Sequence, residues 1–80
     1  MKRDPYETSD LYFAAYLRVA SLPFLKAERR GDKMVFVFES RDPTVMRELK
    51  RQYFSDTAKV KALSFVQAVR HLKSLLRQGG

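Results

Sequence analysis

Arg70, Lys73 and Arg77 stand three and then four residues apart, so on a helix they line one edge. Arg47, Lys50 and Arg51 make a similar edge further upstream, and Lys26, Arg29, Arg30 and Lys33 crowd around Arg30-Gly31-Asp32. The chemistry open to such groups is ionic. Lysine and arginine hold backbone phosphates without reading base sequence, and every contact adds salt dependence. A solvated basic helix face is the plainer reading, because cations near a helix C-terminus also answer its dipole. The expected site is therefore Arg47, Lys50, Arg51, Arg70, Lys73 and Arg77 on the phosphates of DNA or RNA. Tyr6, Tyr12, Tyr16 and Tyr53 could stack on bases, although aromatics at helical spacing more often belong to a core.

Charge distribution is the reason for looking at polyanions at all. The chain of 80 residues carries 16 basic and 9 acidic side chains, a net charge of +7. Residues 1–40 hold seven basic and six acidic groups, whereas residues 41–80 hold nine and three. From Thr57 to Gly80 there are five basic residues and no acidic one. A surface of one sign concentrates counter-charge near it.

Other chemistries lack their parts. With no cysteine, disulfides and thiolate metal sites are excluded. His71 is the only histidine, and no acidic residue from Thr57 onward stands near it in sequence to orient it. The scattered carboxylates show no metal-ligand spacing. Gly31, Gly79 and Gly80 are the only glycines, so there is no glycine-rich phosphate loop. The expectation is no enzyme, with no catalytic residue, no metal and no cofactor.

Eighty residues suffice for one domain, with loose tails expected at 1–7 and 78–80. Thr8, Ser9 and Asp10 are good N-caps for a helix running to Ala20, in which only Arg18 is charged. Being apolar almost all round, that helix needs covering on several sides, which suggests a partner surface or a second subunit. Ser21-Leu22-Pro23 ends it. Two strands follow, about Phe24–Arg29 and Lys33–Glu39, with Gly31 in the turn. Met34, Phe36 and Phe38 share one face of the second strand, and Val35 and Val37 the other. That strand is either central or seals a dimer with one face. In the first, Leu25 and Ala27 alternate poorly against Phe24, Lys26 and Glu28, as on a charge-guarded edge. Asp42 then caps a helix with Pro43 in its first turn. Val45, Met46, Leu49 and Tyr53 form its apolar face. Ala58–Lys61 reads as a short third strand, and Ala62–Arg77 as a helix with a stripe of Phe65, Val66, Val69, Leu72, Leu75 and Leu76. The fold class is α+β: a small two-layer α-β-β-α-(β)-α domain with a short antiparallel hairpin sheet packed by helices.

Taken in order, these features resemble a known pattern. Thr8 to Leu17, the strand Val35-Phe36-Val37-Phe38, Tyr53, Phe65 and Leu72-Lys73-Ser74-Leu75-Leu76 resemble a small uncharacterised bacterial and phage domain family, a domain of unknown function. The resemblance runs from about Tyr6 to Leu76. It implies the fold and carries over no catalytic residue. Where the family leads us to expect glycine after the first helix, this chain has Ser21-Leu22-Pro23.

The functional expectation is a non-enzymatic basic domain that binds nucleic acid through phosphates. The alternative is a protein-interaction module, most simply a homodimer through the first helix (Tyr12, Tyr16) or the second strand. No membrane role is expected, since the apolar stripe of the last helix is needed for the core and no segment resembles a span or signal peptide. The expected location is the cytoplasm.

Overall fold

A computed structural model describes residues 5–39, 42–55 and 59–78. The elements run β1 (Pro5–Thr8), α1 (Leu11–Val19), β2 (Phe24–Arg30), β3 (Lys33–Glu39), α2 (Pro43–Phe54) and α3 (Ala62–Gln78). The strands form one antiparallel sheet in the order β1-β3-β2. The α+β class stands, with three helices and a three-stranded sheet.

Helix starts follow local chemistry. The Asp10 carboxylate accepts from the amides of Tyr12 and Phe13 at 3.0 Å each, satisfying donors that have no partner within the helix. Asp42 does the same for Thr44 at 2.9 Å, with Pro43 in the first turn. α1 ends in a Schellman motif. The Leu22 amide donates to the Leu17 carbonyl at 3.1 Å and the Ser21 amide to that of Arg18 at 3.0 Å. Ser21 sits at φ 70°, where glycine is usual. The expected glycine is thus replaced by a serine that adopts the same left-handed conformation. At the hairpin, Gly31 takes φ 62° and Asp32 does not have positive φ, the type II′ pattern.

Three expectations are corrected. Pro5–Glu7, assigned to a loose tail, belong to β1, with Tyr6 opposite Phe38 and Glu7 opposite Val37. The third strand is this one, while Lys59–Lys61 are irregular; Ala58 lies outside the described residues. Four residues with one large apolar side chain carry too little pattern to announce a strand; β3 supplies the hydrogen bonds. Gln78, also assigned to a tail, is the last residue of α3, and Gly79–Gly80 lie outside the described residues.

β3 is central, and its two faces are buried differently. Met34, Phe36 and Phe38 enter the core with Phe13 to Leu17 of α1, Met46 and Leu72. A bulge at Leu25 brings Phe24 opposite Phe38 and Ala27 opposite Phe36, so both face inward, and Lys26 and Glu28 face outward. That shift accounts for the poor alternation of β2 and separates Leu25 from Ala27. On the outer face, Arg30 reaches across β3 from β2 and grips both Glu7 oxygens at 2.7 Å, while also binding Glu28. Under this bridge Val35 and Val37 are 9% and 4% exposed.

On the inner face α1 packs closely against α3 and meets α2 through aromatic rings, Phe13–Tyr53 at 5.0 Å and Tyr16–Tyr53 at 5.3 Å. The covering that α1 requires comes from its own chain. Val66 lies off the α3 core face and is exposed, and Ala68 takes its place.

Replacing Ser21 with glycine removes the cost of a left-handed non-glycine residue and should stabilise the domain by about 1 kcal/mol, read from urea unfolding; Ser21→Val should lower stability. Arg30's hydrogen bonds hold the Glu7 and Glu28 carboxyls below their usual range near 4.5. The stability they contribute is complete above that value and declines as pH falls through the lower folded-state values. Arg30→Met should therefore lose less stability than wild type between pH 6 and pH 3, and a parallel decline in both would show the bridge to be irrelevant.

Candidate functional site

Where α1 ends, α2 and α3 diverge around it and leave an open groove of about 760 Å³. Tyr16, Leu49 and Ala68 contribute apolar surface, and Gln52, Ser64 and Gln67 line it with amide and hydroxyl groups. Its charged members are Arg18, Lys59 and Lys61, with His71 beside them. No carboxylate is found among its described lining residues. Polar atoms over an apolar floor form a surface that can both orient and desolvate a ligand.

Arg18 is fixed by two contacts. Its guanidinium donates to His71 Nδ1 from 53 residues away in sequence, and it lies 5.1 Å from the centre of the Phe24 ring. A guanidinium has donors only, so Nδ1 is the acceptor in this contact. His71 therefore orients the arginine without bringing a negative charge to it. Across the groove, the Tyr16 hydroxyl donates to Gln52 Oε1 at 3.3 Å, and Gln52 Nε2 donates to Glu48 at 2.9 Å. Burial, and then the charge of Glu48, raises the Tyr16 phenol. Glu48 itself is held down to about 2 by hydrogen bonds from Arg51 and Gln52.

The six cations singled out in the sequence lie outside this groove. Leu49 and Gln52 are the α2 residues that line it, which by helical geometry turns Arg47, Lys50 and Arg51 to the other flank. There Arg51 pairs with Glu48, and Lys50 Nζ lies 5.0 Å from the centre of the Tyr6 ring. On α3, Ser64, Gln67 and His71 face the groove, so Arg70, Lys73 and Arg77 run along the far flank. Each set keeps its line along a helix edge, but the two sets diverge on opposite sides of the helical layer. The residues that do converge are Arg18, Lys59, Lys61 and His71. Lys59 and Lys61 belong to the acid-free C-terminal stretch, the one signal that pointed to them; Arg18 was visible only as the lone charge of its helix.

The tyrosines are placed mainly by the core. Tyr16 is 4% exposed, Tyr6 and Tyr53 are half-buried, and Tyr12 is 49% exposed. Tyr16 thus offers little surface to a second copy or to a base. Among the described residues no group of three or more histidine, aspartate and glutamate side chains gathers as a metal centre, and no helix is long and apolar enough to cross a membrane.

The sequence matches the family described as Domain of unknown function (DUF5659) over residues 3–78. The chain belongs to this family. That match spans every element from β1 to α3, so the strand pairing and the groove lie within the family's domain. No curated protein and no solved structure matches the chain.

Burial of Tyr16 gives a direct test of its role. Tyr16→Glu places an unpaired charge in the core and should cost about 3 kcal/mol or more, lowering the thermal midpoint or unfolding the domain outright. Tyr16→Phe keeps the ring and should stay within about 1 kcal/mol of wild type.

Proposed function

We propose that this domain is a non-catalytic binding module that holds the phosphate backbone of a single-stranded nucleic acid in the groove between α1, α2 and α3. The observation supporting this reading is the groove's charge: Arg18, Lys59 and Lys61 line it, and no described lining residue carries a carboxylate. Phosphate oxygens would accept from these cations, from the Ser64 hydroxyl and Gln67 amide on the α3 wall, and from the Gln52 amide on the α2 wall. A groove of about 760 Å³ has room for a nucleotide or two of one strand, but not for a duplex about 20 Å across.

Base reading has little support. Tyr16, the one aromatic among the groove's described lining residues, is engaged in the core, so the groove presents no row of rings for stacking. Binding is consequently sequence-tolerant and electrostatic. Arg70, Lys73, Arg77 and Arg47 add a long-range positive field around the groove, steering a polyanion without contacting it.

Fluorescence anisotropy with labelled single- and double-stranded DNA and RNA, titrated at low and near-physiological salt, tests the proposal. Single strands should bind more tightly than duplexes. Three phosphate contacts at about 0.7 each should give a log–log salt slope of roughly −2. The double variant Lys59→Glu, Lys61→Glu changes exposed side chains and should weaken binding by roughly tenfold or more while the far-UV spectrum stays unchanged. Arg47→Glu, on the outer flank, should have a smaller effect. Absence of binding at low salt, or a double variant that binds like wild type, would overturn the assignment.

A further inference from the structure

The flank of α3 turned away from the groove carries a second pattern, independent of the first. Leu63, Val66, Arg70, Lys73 and Arg77 follow one another at intervals of three, four, three and four residues. That spacing forms a continuous stripe on one side of a helix and is the spacing by which one helix seats against another. The stripe is open to solvent. Leu63 and Val66 are 68% and 41% exposed, and Arg70, Lys73 and Arg77 are all exposed. The core is held by a separate row, Phe65, Val69, Leu72 and Leu76, so this stripe is not needed to close the fold. Among the described residues no carboxylate pairs with its three cations.

The chemistry of the stripe selects its occupant. A second copy laid antiparallel would set Arg70 against Arg70 and the outer cations against Leu63 and Val66. A parallel copy would oppose like charges at three levels. The antiparallel pairing leaves the aliphatic pair facing cations, and the parallel one buries the pair only by stacking three like charges; neither neutralises the cations. A phosphate backbone could meet the arginines, but it offers no apolar surface for the two aliphatic side chains at the other end. An amphipathic acidic helix satisfies both halves, with apolar side chains over Leu63 and Val66 and carboxylates over Arg70, Lys73 and Arg77.

We infer that the outer flank of α3 is a docking surface for an acidic amphipathic helix of another protein, seated along Leu63, Val66, Arg70, Lys73 and Arg77. This surface is distinct from the groove and goes beyond the binding of nucleic acid. A contact of one helix on one helix is small, so the complex exchanges quickly and is tuned by charge.

The test uses the full chain and two synthetic helical peptides of identical composition. One carries two leucines and three glutamates in phase with the stripe; the other carries the same residues out of phase. Amide chemical-shift changes in the labelled protein report the site, and peptide anisotropy reports affinity. The in-phase peptide should shift residues along the outer flank of α3 and bind roughly tenfold or more tightly than the out-of-phase one. Lys73→Glu should abolish binding, and a peptide with lysine at the facing position should restore it. Leu63→Asp, at an exposed position, should also abolish binding without changing the fold. Equal binding of both peptides, shifts confined to the groove, or no binding would each overturn the inference. So would a single-stranded oligonucleotide that shifts this flank and leaves the groove untouched.

Discussion

Enclosure of α1 is the constraint on which the other elements depend. Five consecutive residues, Phe13 to Leu17, are buried in a helix only nine residues long, so the helix needs cover on nearly every side. In a chain of this size no single surface can do that. The inner face of the sheet, the aromatic end of α2 and the long apolar row of α3 each cover part of it. Each element that does so buries its own apolar face in the same step. The polar rim follows from the same geometry. Arg18 is the first side chain of α1 after the buried run, and it emerges where α3 presents His71.

The outer sheet face handles a similar demand by a different route. Among the described residues no helix packs on it, yet Val35 and Val37 are buried. Arg30 spans the central strand to Glu7 with its guanidinium and also binds Glu28, on the same sheet face as the two valines. These groups remain open to water, so salt screens them and their energetic contribution is modest. What they add is registry, since one side chain ties the two edge strands to each other across the central one.

The cations show how far reasoning from spacing reaches. Arg70, Lys73 and Arg77 do share an edge, because that depends only on helical periodicity within one segment. Whether two such edges face each other depends on how α2 and α3 are rotated about their own axes. Burial of Met46 and Leu72 sets those rotations, and it turns both basic edges outward. The groove is instead assembled from Arg18 on one helix, Lys59 and Lys61 in a connector, and His71 on another helix. Nothing in the local pattern of any of the three segments announces the other two.

The sequence by itself determined the class, the helices and their starts, the hairpin and its turn, and the core face of β3. All of these rest on interactions a few residues apart: Asp10 and Asp42 as caps, Gly31 in the turn, and alternation or helical spacing of apolar side chains. Only the tertiary structure decided that Pro5–Thr8 is a strand, that Leu25 is a bulge, that Ser21 stands in for glycine, and which cations meet. Those outcomes depend on partners distant in the chain. A strand of four residues takes its stability from the strand it pairs with, and side chains gather into one groove only when packing has set the rotation of each helix.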